Sequence, residues 1–557
     1  MDTRQEQSYW VGAQSLYGND ARDLINRFQR VSPMEVSFHD TSTVYYGSQF
    51  VHRSHDGGVH WEKISPDLTA NGPDGQGGSG EPITRDVTGE EFYSTLYAII
   101  ESKLEAGVIW TGANDGPFHI SRDNGKTWKN ITPKDLPKGG RVQFIETSPH
   151  RRGSAYYAVY RYLLGDFTPY IYKTDDYGAT WTRLTDGKNG IPADWPTRVV
   201  REDPAREGLL YAGTEFGLFI SYDNGGHWQG FNLNMPAMPI TDIKVHHSDL
   251  VVSTQGRSIW ILDDVTPLQQ IAAATTSATA VLFNPREATR ARPAGGRGGF
   301  GGGGAPTLSG QPQFSPNGAT INYFLKEPGR VQLDILDATG KTVRSYTSDA
   351  AAATRADAAA AATTDEEDGP VRRAAPAVRL PTNAGMNRMT WDFNNTAGIM
   401  LPPGSYKVRL TTGAFADTKA FTLLIDPRIA ANGVSTADLR EQYEHSTRTR
   451  ELVNEMNRVA NRIRQERTRL RTAGSSDTLA KVNDLATTTF GVGEGIRYGQ
   501  PGLQTHISYL AGLAARTDQR VGRDAIERYQ VLRKELDTLE ARVLTVLGPE
   551  KGGSYVP

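Results

Sequence analysis

The chain has 557 residues, 38% hydrophobic and 9% aromatic, with 61 basic against 63 acidic side chains and no cysteine. Such a length predicts about two to four domains, and a net charge of −2 predicts no polyanion-binding surface and no nucleic-acid partner. The missing cysteines exclude disulfides, zinc–thiolate sites and thiol catalysis, and no run of about 18 apolar residues is present to span a membrane.

Residues 1–35, with a helix-like NDARDLINRF, form an N-terminal segment, and the opening MDTRQEQSYWVGAQ lacks the apolar core of a signal peptide. A repeat then begins. Ser54-His-Asp56-Gly-Gly58-Val-His60-Trp61 returns as Ser121-Arg-Asp123-Asn-Gly125-Lys-Thr127-Trp128. It returns again as Thr174-Asp-Asp176-Tyr-Gly178-Ala-Thr180-Trp181 and Ser221-Tyr-Asp223-Asn-Gly225-Gly-His227-Trp228. The intervals of 67, 53 and 47 residues suit four-stranded blades with variable loops, so 36–264 is predicted to be a β-propeller. Each residue type has a local reason. Asp accepts backbone N–H bonds across the turn, Gly supplies a positive φ, the hydroxyl adds a bond, and Trp packs between blades. The strands VYYGSQFVHRS, IWTGANDGPFHIS and LYAGTEFGLFIS precede three copies, which places the motif between the third and fourth strands of a blade. Asp56, Asp123, Asp176 and Asp223 are therefore structural. A fifth unit, ITDIKVHHSDLVVSTQGRSIWILDD (240–264), has three strands and no motif. Five units are few for a closed ring, and an open one exposes a sheet edge, so further blades are expected before Met1, in a longer precursor or a partner chain.

Residues 265–313 read as a connector packed on the propeller, with a Gly-rich tether at 291–311. Alternation resumes over 314–430, where six strands predict an Ig- or fibronectin-like β-sandwich interrupted by an Ala-, Asp- and Glu-rich insertion, 349–375, expected to be disordered. From 431 to 557 the period is helical. Ser435-Thr-Ala-Asp438 resembles a capping box, and Leu452, Met456, Val459 and Ile463, then Ile526, Tyr529, Leu532, Leu536, Leu539 and Val543, form stripes of a helical hairpin or bundle. The arginines from Arg448 to Arg471 are interleaved with Glu451, Glu455 and Glu466, a solvated face. The fold class is thus mainly β and multidomain.

The repeated turn resembles the Asp box of sialidase and BNR-repeat propellers, found also in sortilin-type propellers and xyloglucanases. With ISPDLT (64–69), PYIYKTDDYGATW and STQGRSIWILDD it is similar to large bacterial BNR-repeat, sortilin-like proteins labelled "glycosyl hydrolase", over essentially the whole chain. The resemblance implies earlier blades, a signal peptide absent from this chain, and a periplasmic or extracellular protein. The strand set of 314–430 itself resembles the FlgD-type Ig module found at the ends of exported bacterial proteins.

In such propellers the catalytic centre opens on the face opposite the Asp boxes, where the turns between strands two and three gather. Those turns carry Gln49, Asn114-Asp115, Arg161 and Asp166, Glu215-Phe216, and Gln255-Gly256-Arg257. A glycosidase needs two carboxylates roughly 5–10 Å apart, and Asp115 with Glu215 is the candidate pair. Polar turn residues on a solvated face are expected without any function. Arg161 and Arg257 do not supply a sialidase's arginine triad. His52, His55, His60 and His246-His247 lack metal-ligand spacing, and the Gly-rich run 295–304 lacks the Lys-Ser/Thr of a phosphate loop. No metal or cofactor is expected. The leading expectation is a binding or assembly module for a glycan or peptide, with an N-terminal propeller chain or subunit as a further partner. The alternative is a glycoside hydrolase.

Overall fold

The computed structural model describes residues 8–12, 14–78, 92–271, 275, 277–292, 317–349, 379–473, 476–492, 499–515 and 517–549. All of the insertion at 349–375 but Asp349, and all of the tether at 291–311 but Ala291 and Arg292, lie outside these residues. The chain divides into two compact units, Met1–Val265 and Thr266–Pro557.

The first unit is a propeller-like succession of small antiparallel sheets. Sheet one comprises β1 (Met34–Val36), β2 (Val44–Gly47), β3 (Val51–Ser54) and β4 (Glu62–Lys63); sheet two, β5 (Leu96–Glu101), β6 (Ile109–Ala113), β7 (Phe118–Ser121) and β8 (Lys129–Asn130). Sheet three follows with β9 (Arg141–Thr147), β10 (Ala155–Tyr160), β11 (Tyr170–Thr174) and β12 (Thr182–Arg183); sheet four with β13 (Thr197–Glu202), β14 (Leu210–Thr214), β15 (Leu218–Ser221) and β16 (Gln229–Gly230). Sheet five has three strands, β17 (Ile240–His246), β18 (Asp249–Thr254) and β19 (Ile259–Leu262). In each sheet the strands pair in sequence order, and the first strands of sheets two to five contact one another. The second strands of sheets two to four are buried throughout: every residue of Ile109–Ala113, Ala155–Tyr160 and Leu210–Thr214 is buried. Each fully buried large side chain there contributes roughly 1.5–3 kcal/mol of transfer free energy.

Glycine in the second strand answers a packing demand. A Cβ on Gly112 would lie 2.2 Å from Val142 Cγ1, and one on Gly213 would lie 2.7 Å from both Ile240 and Val199 side-chain atoms. The first strand of the following sheet thus presses into the gap where a side chain would stand.

The repeated turn is held as its residue types predict. Ser54, Ser121, Thr174 and Ser221 each accept the N–H of the motif glycine at 2.8–2.9 Å. Asp56, Asp123, Asp176 and Asp223 each accept a backbone N–H from the residue four on, and a second bond from its side chain. These bonds hold all four carboxyls below the usual range. A second left-handed residue precedes the glycine: Asn124, Tyr177 and Asn224 have φ of 61°, 59° and 62°. The tryptophans join neighbouring sheets. Trp128 Nε1 donates to the Ile64 carbonyl (2.8 Å), Trp181 Nε1 to Ile131 (2.6 Å) and Trp228 Nε1 to Leu184 (3.0 Å). The acceptor lies three residues beyond the preceding motif's tryptophan in every case.

The second unit begins earlier than the sequence pattern indicates. Residues 265–313 were expected to be connector and tether, yet Ala280–Leu282 pairs antiparallel with Tyr323–Leu325, and Ala288–Arg290 pairs parallel with Leu423–Ile425. These three-residue strands are too short for alternation to reveal. They complete a three-stranded and a five-stranded sheet that share one core, with Trp391, Tyr323, Ile335 and Val408 at its centre. A five-residue helix, Pro427–Ala431, and four longer ones follow, the longer being α1 (Thr436–Ala473), α2 (Ser476–Phe490), α3 (Leu503–Ala515) and α4 (Arg523–Leu547), packed around Leu452, Met456, Ile463, Leu485, Ile507, Leu532 and Leu536. Among the described residues no helix is long and apolar enough to cross a membrane.

Candidate functional site

Alternating strand direction puts the repeated turns at one end of sheets one to four. The turns between second and third strands, and the starts of the first strands, fall at the other. At that second end the first strands of sheets two to five share a device. Their pairing slips at Leu96/Ala98, at Val142/Phe144, at Thr197/Val199 and at Ile240/Asp242, leaving Tyr97, Gln143, Arg198 and Thr241 as extra residues. A bulge re-aims side chains and bends the strand, and four in register are a built feature.

A compact group stands at these bulges. The Arg141 guanidinium lies 4.5 Å from the Tyr97 ring centre and 5.3 Å from that of Tyr160, and Arg198 lies 4.8 Å from Tyr160. Arg198 Nε donates to Glu215, while its Nη2 reaches the Tyr160 hydroxyl at 3.3 Å and Gln255 Oε1 at 3.4 Å. Burial is the largest influence on Arg141 and lowers its pKa, and burial likewise raises that of Tyr160. Two buried atoms here have no partner among the described residues, Arg141 Nε and Gln143 Oε1.

Farther along the same strands lies a charged cluster. Glu146, fully buried, accepts from Lys103 at 2.6 Å and from Arg201 at 2.9 Å, and Arg201 also reaches Asp242 at 3.1 Å. Glu35 of β1 feels Arg201, Lys103, Glu146 and Lys244, so all five sheets bring charge to one region. Desolvation dominates at Glu35 and pushes its carboxyl up to about 7.

The residues expected on this face are positioned as follows. Gln49 accepts the Arg27 N–H and donates to the Ile25 carbonyl; Asn114 accepts from Thr95 N–H and donates to Phe92. Asp115 is buried, and its Oδ2 accepts the N–H groups of Ala70 (2.9 Å) and Asn71 (3.2 Å), while Oδ1 has no partner among the described residues. Burial raises its pKa against those bonds. Arg161 donates to Asp166 at 2.7 Å and to the carbonyls of Pro137, Lys138 and Gly139. Asp166, which also accepts from Thr168 and Tyr170, is held at about 2. Glu215 is tied to Arg198, Phe216 is 43% exposed and packs on Trp195 at 5.1 Å, and Arg257 is exposed. No hydrogen bond or ion pair among the described residues joins Asp115 to Glu215, which stand on sheets two and four.

The turn residues drew attention by composition. Tyr97, Arg141, Gln143, Arg198 and Glu35 did not, because they sit inside strands. The available signal was a polar or aromatic residue at the start of an apolar strand: STLYAII, GRVQFIE, TRVVRE and ITDIKV. No group of three or more His, Asp or Glu side chains among the described residues is arranged to hold a metal ion.

No family model matches the sequence, and no curated protein does. Among solved structures, the GH74 xyloglucanase from Xanthomonas campestris aligns with 46% of this chain and 38% of its own length, at 18% identity and a TM-score of 0.33. YCF48, solved bound to D1 peptide, aligns with 45% of this chain and 70% of its own, at 14% identity and TM-score 0.29. PorZ, a surface component of the Porphyromonas gingivalis type-IX secretion system, aligns with 70% of this chain and 51% of its own, at 12% identity and TM-score 0.30. The chain thus spans well under half of the xyloglucanase, and likeness of this degree says nothing of its activity or partners.

Proposed function

We propose that the chain is an exported BNR/Asp-box-repeat, sortilin-like propeller protein whose face opposite the repeated turns binds a glycan or peptide without turning it over. One observation carries this. On that face Asp166 is bound by Arg161 and Glu215 by Arg198, and Asp115 holds two backbone amides through Oδ2, while Asp115 Oδ1, Arg141 Nε and Gln143 Oε1 are buried without a partner among the described residues. Buried polar groups without partners are costly, and a ligand that completes them recovers that cost. A glycosidase instead needs two carboxyl groups flanking one bond.

In the same reading the two facing sheets of the second unit are an Ig/FlgD-like sandwich and its four helices a bundle, both serving as docking elements in the periplasm or outside the cell. A further propeller chain or subunit is the expected partner of sheet one. Trp61 supports this: its Nε1 is buried and has no acceptor among the described residues, where the three later motif tryptophans each bond to the preceding sheet.

A glycoside hydrolase is favoured by one feature, the burial that keeps Asp115 protonated to higher pH, as a general acid requires. Release of phenol from a panel of aryl glycosides by wild type, Glu215→Gln and Asp115→Asn separates the two. If the face only binds, all three release phenol at the buffer rate. Turnover by wild type that falls about 100-fold in either variant establishes the hydrolase.

A further inference from the structure

The joint between the sandwich and the helices of the second unit holds a cavity of about 60 Å³. Arg290, Arg292 and Asn394 line it from the sandwich, and Tyr443, Ser446 and Arg450 line it from α1. Spacings of three and four put those helix residues on one face. That face lies against the sandwich: Tyr443 packs on its core, and Asn395 Nδ2 reaches the Tyr443 hydroxyl at 3.4 Å. Three guanidiniums thus line the cavity, and among the described residues no carboxylate does.

Arg290 is both fixed and costly here. It is 2% exposed, its Nε donates to the Leu401 carbonyl at 2.8 Å, and its Nη1 meets Asp518 Oδ2 at 2.5 Å. Asp518 gives its other oxygen to Arg292 Nε, also at 2.5 Å, so one buried carboxylate is shared between two guanidiniums. Burial lowers the pKa of Arg290, Asp518 raises it, and Arg292 lowers it again. A buried cation is costly unless it is well compensated, and a second anion beside it recovers that cost. The cavity sets the size of such an anion. At about 10–15 Å³ for each water-sized group it has room for roughly four or five, which matches the heavy atoms of phosphate or sulfate. Shape separates these from a carboxylate. Donors converge from two walls, which suits four tetrahedral oxygens, whereas a planar carboxylate is satisfied by one guanidinium fork.

We propose that this cavity binds a free tetrahedral oxyanion, phosphate or sulfate, between Arg290 and Arg292 of the sandwich and Ser446 and Arg450 of α1, so that the ion completes the seat of the helix on the sandwich. The site lies wholly in the second unit and is independent of the ligand face of the first.

The test is calorimetric titration of the full chain, at fixed ionic strength in a chloride buffer, with inorganic phosphate, sulfate, acetate and phenyl phosphate. Phosphate and sulfate should bind saturably and at least tenfold more tightly than acetate or phenyl phosphate. Arg450→Gln should weaken phosphate at least tenfold. Arg330→Gln, which removes a 91% exposed guanidinium from the same unit, should leave it unchanged. Ser446→Leu, which fills the cavity and keeps all three guanidiniums, should abolish binding, so the outcome does not hang on one variant's fold. Phosphate should also raise the melting temperature of wild type and not that of Ser446→Leu, a comparison that cancels the general effect of salt. Phosphate binding that survives in both Arg450→Gln and Ser446→Leu lies elsewhere and overturns the site. Acetate binding as tightly as phosphate overturns the tetrahedral assignment, and tighter phenyl phosphate overturns the free ion. No saturable binding by any probe overturns the proposal outright.

Discussion

At the residue scale, Glu35 shows how one position reports on the surroundings of five sheets. Desolvation raises its carboxyl from 4.5 to about 7, with Glu146 adding to the rise and Arg201, Lys103 and Lys244 opposing it. The folded chain therefore holds a proton that the unfolded chain has released between those values. Stability contributed by this site falls as pH rises from about 4.5 to 7, and stays low above. Glu35→Gln should raise the melting temperature at pH 8 and leave it unchanged near pH 4. A lower melting temperature at pH 8 would mean that Glu35 is a needed ion-pair partner of Arg201 or Lys103. His52 and His119 act in the other direction. Burial lowers both from 6.5 to about 4, so their contribution is complete above pH 6.5 and is lost as pH falls toward 4.

At the element scale, the repeated link from indole to carbonyl gives a comparative prediction. Trp181→Phe keeps most of the ring but leaves the Ile131 carbonyl without its 2.6 Å donor, and should cost about 1 kcal/mol in denaturant unfolding. Trp61→Phe removes a buried N–H that has no acceptor among the described residues, and should cost nothing or stabilise the chain. Equal losses from the two would show that Trp61 has an acceptor of its own. The turn that positions these tryptophans was legible in the sequence because its bonds are local: Thr174, Asp176, Gly178 and Thr180 satisfy one another within seven residues. The bulges were not. Whether Tyr97 or Arg198 pairs with a neighbouring strand depends on register, and one extra residue in a strand leaves no trace in apolar alternation. The same limit hid Ala280–Leu282 and Ala288–Arg290, whose partners lie about 40 and 135 residues away in sequence. Asp115 and Arg161 were found by residue type, but their partners, the amides at Ala70 and Asn71 and the carbonyls at 137–139, could not be read from the turns themselves.

At the scale of the whole molecule, the first unit carries a polar mouth at one end of its sheets and hydrogen-bonded turns at the other. On the bulged strands Arg141 Nε and Gln143 Oε1 are buried without a partner among the described residues. Sheets one and five also expose apolar residues, Met34 and Val36 in the first and Ile259 and Ile261 in the last. The second unit has its own cores, one between its two sheets and one among its four helices. Hydrogen–deuterium exchange of the full chain, with and without a mixture of oligosaccharides and random-sequence hexapeptides, tests the binding face directly. Protection is predicted at residues 139–143, 160–167, 195–198 and 215–217, with exchange unchanged at the turns 54–61, 121–128, 174–181 and 221–228. Protection at those turns, or in the second unit alone, would contradict a ligand face at the bulged strand starts.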